Sequence, residues 1–346
     1  MPSTMKAVVF HQPGDVAALQ WIDMPIPSLA DDEVLVEVKA CALNHLDIWV
    51  RKGLPTAIPM PHIGGCEVTG VIAQMGSDVA GWSIGQKVMI APGLLPRQPT
   101  EWTTQGLDHV DPEYQIHGYH TQGGLAQYSK ARAVDLIPVS DGWSLTDWAA
   151  VPLTFMTAWN MLHQRARVQP GEDVLIMGAS SGVGVAGIQI AKRAGARVLA
   201  VAGSPEKLRR AEDLGADYVL NYNDQDLAKE VMKLTNRRGV DVVFEHVGLA
   251  LWPTAIKCLA RNGRLVTCGA TTGPKVEIDL RFFFTRQIVV TGAYMGSRHD
   301  LLECVKLVDR RELRPIVDRV FPLEQAAAAQ AYMEQRQMFG KIVVTP

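Results

Sequence analysis

The chain has 346 residues, 47% of them hydrophobic and 20% charged, the balance of an ordinary soluble globular protein and enough length for two domains. Thirty-four basic residues against 36 acidic ones leave a formal net charge of −2, which gives no electrostatic reason to expect a nucleic acid or a membrane surface as partner. No apolar run reaches the roughly 18 residues of a membrane span, the opening MPSTMKAVVF has no secretory pattern, and five scattered cysteines without a CxxC pair argue against a disulfide framework or a zinc knuckle, so a reducing cytoplasm is expected.

Residues 1 to about 135 read as β-rich. Met5-Lys-Ala-Val-Val-Phe10, Glu33-Val-Leu-Val-Glu-Val-Lys39 and Gln86-Lys-Val-Met-Ile90 are β-branched and partly alternating, with Gly and Pro between them. A helix is expected over 146–163 with Thr146 as N-cap. Asp173-Val-Leu-Ile-Met177 then begins a strict alternation. Helices over 182–194, 205–214 and 226–235 separate strands at Arg197-Val-Leu-Ala-Val201, Tyr218-Val-Leu220, Val240-Asp-Val-Val-Phe244 and Arg264-Leu-Val-Thr-Cys268. Unbroken apolar strands alternating with helices mean a parallel, doubly wound α/β sheet. Residues 300–346 hold one helix, a strand near Asp318-Arg-Val-Phe321, a helix over 323–334 and a last strand, Lys341-Ile-Val-Val-Thr345.

Directly after the first of the alternating strands stands MGASSGVGVAG, residues 177–187, with G-x-G-x-x-G as Gly182, Gly184 and Gly187. Gly182 is expected to permit the tight turn, Gly184 to let a diphosphate approach the backbone, and Gly187 to let the helix lie close on the sheet. Ser180, Ser181, Gly182, Val183 and Gly184 thus become candidate dinucleotide contacts, with a helix N-terminus behind them. An NAD site usually carries an acid at the end of the second strand, about 20 residues on. Here Gly203 takes that place, followed by Ser204 and Lys207, a donor and a cation suited to a 2′-phosphate, with Tyr222 after the third strand. NADPH is therefore the expected cofactor. Val247, Gly269, Ala270 and Thr271 follow the fourth and fifth strands, where such sheets form their ligand crevice.

The chain resembles the medium-chain dehydrogenase/reductase superfamily over essentially its whole length. Ala42-Leu-Asn44-His-Leu-Asp47, Gly65-Cys-Glu67-Val-Thr-Gly70, Gly123-Gly-Leu-Ala-Gln-Tyr128, Pro152-Leu-Thr154, the glycine loop and Phe339-Gly-Lys341-Ile-Val-Val344 carry the resemblance. It implies a GroES-like β-barrel catalytic domain (1–152 and 295–346) with an inserted Rossmann domain (153–294) and the active site between them. It also implies a homodimer joined through Gln287-Ile-Val-Val-Thr-Gly-Ala293, an apolar strand that would be an aggregation risk if left bare.

Zinc members of that superfamily place Cys, His, Glu and Cys at the positions of Asn44, Cys66, Glu67 and Leu153; only Glu67 is unchanged. The lobe 92–115 has no cysteine where they carry four around a structural zinc; an apolar cluster of Leu94, Leu95 and Trp102 is expected instead, with Asp108, His109 and Asp111 at the surface. No metal is therefore expected. ALNHLD and Pro152-Leu-Thr154 resemble the zinc-free quinone oxidoreductase branch, which implies that Asn44 and Thr154 hold the nicotinamide ribose or carboxamide; Lys341, in the re-entrant tail, is expected to touch the diphosphate.

Without a metal to polarise a carbonyl, hydride goes most easily to a small molecule that is already electrophilic, a quinone or an α,β-unsaturated carbonyl compound. His45, with an ordinary pKa near neutrality, is the leading side-chain proton source; Asp47 is expected to orient its neighbours; His62, Tyr119 and His120 are weaker candidates. Phe282, Phe283 and Phe284 are expected in the core or an interface, with an apolar substrate pocket as the other reading. Two alternative functions stand beside this one: an alcohol dehydrogenase with an atypical zinc, and a dinucleotide-binding protein without turnover.

Overall fold

The computed structural model describes residues 2–346. The chain divides into two compact units. The first holds residues up to Leu153, Ser297–Arg310 and Arg314–Pro346; the second holds Thr154–Gly296 and Arg311–Leu313.

The first unit is built on β1 (Thr4–Phe10), β2 (Gln20–Pro25), β3 (Glu33–Ala42), helix α1 (His45–Lys52), β4 (His62–Ile63), β5 (Glu67–Met75) and β6 (Lys87–Ile90). A small lobe follows, with β7 (Gly93–Leu94) paired to β8 (Gln115–Ile116) around helix α2 (Glu101–Thr104). Then come β9 (Tyr128–Arg132), β10 (Leu136–Pro138) and α3 (Leu145–Ala149). Alternation along β1 and β3 turns Val8, Val34, Val36 and Val38 into a common core with Ile72, Ile90, Leu125 and Val344, all fully or almost fully buried. Each such side chain contributes roughly 1.5–3 kcal/mol relative to exposure.

The expected single helix over 146–163 is three pieces. Ser144, not Thr146, caps α3 by accepting from Asp147 N. Ala150 and Val151 separate α3 from α4 (Pro152–Trp159), whose first residue is a proline, and proline fits the first turn of a helix but not an interior. The chain continues as a π-turn over Asn160–Arg165.

The second unit alternates β11 (Asp173–Ile176), α5 (Gly182–Arg193), β12 (Arg197–Ala202), α6 (Pro205–Asp213), β13 (Tyr218–Asn221), α7 (Leu227–Leu234), β14 (Val240–Glu245), α8 (Trp252–Cys258), β15 (Leu259–Thr267), α9 (Leu280–Arg286) and β16 (Val289–Gly292). All pairings are parallel, in the order β13-β12-β11-β14-β15-β16. Order reverses between β11 and β14, and the crevice beyond the carboxyl ends of strands at such a point is where ligands bind.

The chain returns to the first unit with α10 (Arg298–Asp309), β17 (Val317–Pro322), α11 (Ala326–Glu334) and β18 (Lys341–Thr345). β18 completes the larger sheet, order β10-β6-β5-β3-β18-β17 with β9 on β3; β2-β1-β4 form the smaller. Register pairs Val343 with Ala42 and Val344 with Cys41, which carries Lys341 to the end of β3 just before Asn44.

Candidate active site

Asn44 is the N-cap of α1. Its backbone N–H donates to Asp47 Oδ2 at 2.7 Å, and Gly65 N donates to Asp47 Oδ1 at 2.9 Å. One buried carboxylate therefore ties the start of α1 to the Gly64-Gly65 turn. Burial pushes the Asp47 carboxyl up to about 6 despite both bonds.

With its backbone fixed, the Asn44 side chain faces three groups. Its Nδ2 donates to Glu67 Oε2 at 2.8 Å and to Cys66 Sγ at 3.4 Å, while its Oδ1 accepts from Lys341 Nζ at 2.7 Å. Lys341 Nζ also lies 2.6 Å from Glu67 Oε2 and donates to Leu43 O at 2.5 Å. Glu67 Oε1 accepts from Leu153 N at 2.7 Å. Glu67 and Lys341 are 0% and 3% exposed, so this is an ion pair withdrawn from water whose polar atoms have partners. Cys66 is a buried thiol, held well above its ordinary value by burial and by Asp47 and Glu67.

These residues do not fit a zinc ion. Zinc needs deprotonated thiolate, neutral imidazole or free carboxylate donors converging on one point. Here Asn44 and Leu153 stand at two of the other positions, and Glu67 is bonded to an ammonium, an amide and a backbone N–H. Among the described residues no group of three or more His, Cys, Asp and Glu could hold a metal.

Three histidines near this centre are constrained. Burial, with Lys341 and Arg336, pushes the His45 imidazole below its ordinary value to about 4, which leaves it neutral at pH 7. His62 lies between Gly118 O and Pro59 O, and His120 Nδ1 accepts from Ile116 N at 2.8 Å. Tyr119 is buried, its ring 4.0 Å from that of His120.

In the second unit the glycine loop has the shape a dinucleotide requires, with one correction. Gly178, with φ +62, makes the left-handed turn, whereas Gly182 opens α5 without a positive φ. Ser181 caps α5 by accepting from Gly184 N at 2.9 Å. A Cβ on Gly184 would stand 2.4 Å from Gly178 O, and one on Gly187 3.1 Å from the Phe244 ring. Backbone can approach here only because those side chains are absent. Ser180, Ser181 and Val183 are half-buried around the loop, and Gly182 is buried.

At the end of β12 a Cβ on Gly203 would lie 2.3 Å from the Tyr222 hydroxyl, so Tyr222 fills the place an acidic side chain would need. Ser204 caps α6 by accepting from Lys207 N at 3.4 Å. Beyond β14, Glu245 Oε1 accepts from Val247 N and Gly248 N at 2.6 and 2.8 Å. Val247 O accepts from Thr272 N at 2.8 Å and Thr271 Oγ1 at 3.3 Å. Gly269, whose Cβ would meet His246 O at 3.1 Å, and Ala270, against Gly248, complete one packed rim. Thr154 is buried at the start of α4.

Comparison with known proteins agrees with both halves. Residues 30–141 match the alcohol dehydrogenase GroES-like domain and residues 182–310 the zinc-binding dehydrogenase family. A zinc-type alcohol dehydrogenase-like protein of Schizosaccharomyces pombe is 30% identical over 323 residues, 90% of each chain. The quinone oxidoreductase of Pseudomonas aeruginosa is 27% identical over 99% of each. Among solved structures, an NAD-dependent alcohol dehydrogenase superposes with a TM-score of 0.95 at 42% identity, covering 99% of this chain and 100% of its own. A 2-octenoyl-CoA carboxylase reductase in complex with NADP and 2-octenoyl-CoA gives 0.90 at 27% identity, covering 100% and 88%.

The chain belongs to the medium-chain dehydrogenase/reductase superfamily.

This superfamily member is an oxidoreductase with a GroES-like domain and a Rossmann-type parallel sheet, and its relatives use nicotinamide cofactors. Several expectations need correcting. Lys341 is not placed as a diphosphate ligand: its ammonium already contacts Leu43 O, Asn44 and Glu67, because the β18–β3 register buries it. Asp108, His109 and Asp111 are buried rather than at the surface. Asp108 accepts from Arg298 N at 3.0 Å, and Asp111 accepts from Glu113 N at 2.7 Å and from the Thr100 hydroxyl. Leu94, Leu95 and Trp102 are half-buried. Phe284 is 67% exposed, and Phe282 and Phe283 are half-buried, which corrects only the core half of the core-or-interface expectation.

Sequence reasoning missed two residues and one contact of this site: Glu245 as the clamp of the 245–248 loop, His246, 3.3 Å from Ser181 Oγ, and the pairing of Lys341 with Glu67. The position of His246 just past β14 was the available signal for it.

Proposed function

We propose that this protein transfers hydride from NADPH to a quinone or to the activated C=C bond of an α,β-unsaturated carbonyl compound, without a metal ion. The observation that carries the reading is the Lys341–Glu67–Asn44 cluster, in which an ammonium rather than a divalent cation neutralises the buried carboxylate. A carbonyl alone needs a strong electrophile at its oxygen. A conjugated acceptor spreads the incoming charge itself and asks mainly for orientation and hydrogen-bond donors.

Hydride comes from C4 of the bound nicotinamide ring. Asn44, Asp47 and Thr154 are positioning residues: Asp47 fixes the Asn44 backbone, and Lys341 and Glu67 fix its amide. His45, neutral at pH 7, has no readily released imidazolium proton to give, so the proton comes from water. The absence of an acid at Gly203, with Ser204, Lys207 and Tyr222 around it, supports NADPH over NADH. β16 is the sheet edge, with Val289 50% and Val290 37% exposed, which supports a homodimer through Gln287–Ala293. The setting proposed is cytoplasmic; no helix among the described residues is long and apolar enough to cross a membrane.

The test is NADPH oxidation against quinones, enones, enals and enoyl thioesters, with NADH as control. Turnover of at least one acceptor class, tenfold or more better with NADPH, is expected. Equal use of both nucleotides would remove the Lys207 argument. Binding of NADPH without reduction of any acceptor would favour a non-catalytic binding protein. The zinc-type relative gives a second reading, an alcohol dehydrogenase with atypical metal ligands, which one tightly bound zinc per chain in protein purified without added metal would rescue.

A further inference from the structure

We propose that the cavity at the carboxyl end of α1 binds a compact, neutral ketone or aldehyde, with Tyr119 as the hydrogen-bond donor to its carbonyl oxygen. The inference rests on the reading above in one respect, that this carbonyl compound is the conjugated acceptor. It narrows that acceptor to an enone or enal about the size of one substituted ring.

Val50, near the end of α1, and the loop beyond it wall a cavity of about 240 Å³ with Leu54, Ile58 and Met60, closed from two other segments by Pro13 and Tyr119. No residue that lines it carries a charge, so it suits a neutral molecule. An apolar cavity of about 150 Å³ accommodates benzene; this one admits a single ring with a short substituent. Gly53 ends α1 at φ +99, a backbone conformation that favours glycine. The chain beyond it therefore forms a loop around the cavity instead of a further helical turn.

Tyr119 is 7% exposed, yet its hydroxyl reaches no hydrogen-bonding group among the described residues and keeps accessible surface. A buried phenol ordinarily finds a partner; this one is left with a donor beside the apolar cavity it lines. Its ring is held 4.0 Å from that of His120, and its backbone N–H donates to Ile116 O at 3.1 Å. The same backbone is tied to the candidate active site. A Cβ on Gly118 would meet Gly65 O at 2.4 Å, so the two turns pack together, and Gly65 N donates to Asp47, the carboxylate that also holds Asn44 N. Val50 stands six residues past Asn44, about 9 Å along the helix. In a conjugated acceptor the carbonyl oxygen takes up negative charge during reduction, where a fixed donor stabilises most. The phenol gives a hydrogen bond and keeps its proton, so water remains the proton source.

The experiment is ligand binding to the nucleotide-free protein, followed by NMR through the labelled methyl group of Met60. The probes are acetophenone and α-methylstyrene, which share a shape but differ in a methylene carbon for the carbonyl oxygen. Wild type is expected to bind both, and Tyr119→Phe to weaken acetophenone about fivefold, the loss of one neutral hydrogen bond, while leaving α-methylstyrene unchanged. Ile58→Trp, which fills the cavity, should abolish both, with unliganded melting curves confirming that the variants fold. No binding of acetophenone, binding that leaves the Met60 signal unmoved, or equal effects of Tyr119→Phe on the two probes would overturn the assignment. With NADPH present, cyclohexenone reduction should lose the same factor in kcat/KM in Tyr119→Phe; an unchanged kcat/KM would overturn the link between cavity and acceptor. Binding in the expected pattern with no acceptor reduced would overturn the hydride-transfer reading and leave the binding site in place.

Discussion

A buried ammonium 2.6 Å from a buried carboxylate persists only as a pair, since either charge alone would be stranded away from water. Lys341→Met should cost about 3–5 kcal/mol in urea unfolding, and adding Glu67→Gln should recover much of that loss. Strict additivity of the two substitutions would show that they do not interact. His45 offers a second residue-scale test. Its value of about 4 lies below the ordinary one, so its contribution to stability is present above about pH 6.5 and lost as pH falls through about 4. Its ring protons should hold their NMR shifts between pH 5.5 and 8; a midpoint near 6.5 would contradict the burial argument. Asn44 and Glu67 were legible in the sequence because their neighbours in ALNHLD and GGCEVTG form local patterns. The Lys341 contact was not, because it spans 297 positions and depends on strand register. The low value of His45 likewise depends on burial and then on Lys341 and Arg336, which no local pattern brings near it.

At the scale of elements, the strands of the parallel sheet were readable from unbroken apolar runs, and their helices from the spacing between them. The segment 146–163 was not readable as one element, because apolar periodicity runs through a break that only Val151-Pro152 betrays. The lobe around α2 was misread for a related reason. Acidic residues there are buried by bonding to backbone N–H groups and a hydroxyl, and composition alone places acids outside. The β11–α5 turn gives the sharpest element-scale expectation. Gly184→Ala puts a Cβ 2.4 Å from Gly178 O, so either the loop or the helix must shift. NADPH affinity should fall at least tenfold by fluorescence titration while the melting temperature changes little; unchanged affinity would mean that this approach of backbone to backbone does not shape the cofactor site.

For the whole molecule, the α/β alternation and the interrupted β-rich region were legible because they are properties of order along the chain. The exposed edge is legible only in part: sequence reads an apolar strand, and only the sheet order makes it the last one. Val290→Lys should convert a dimer to monomer in sedimentation velocity without loss of secondary structure. A wild type that sediments as a monomer would remove that surface from the account. Substrate choice also belongs to this scale, because it follows from what the Lys341–Glu67–Asn44 cluster can and cannot do to an acceptor. The most direct measurement is the rate of NADPH-dependent reduction of a conjugated enone before and after exhaustive chelation. An unchanged rate, with zinc addition making no difference, is expected; a rate abolished by chelation and restored by stoichiometric zinc would contradict it.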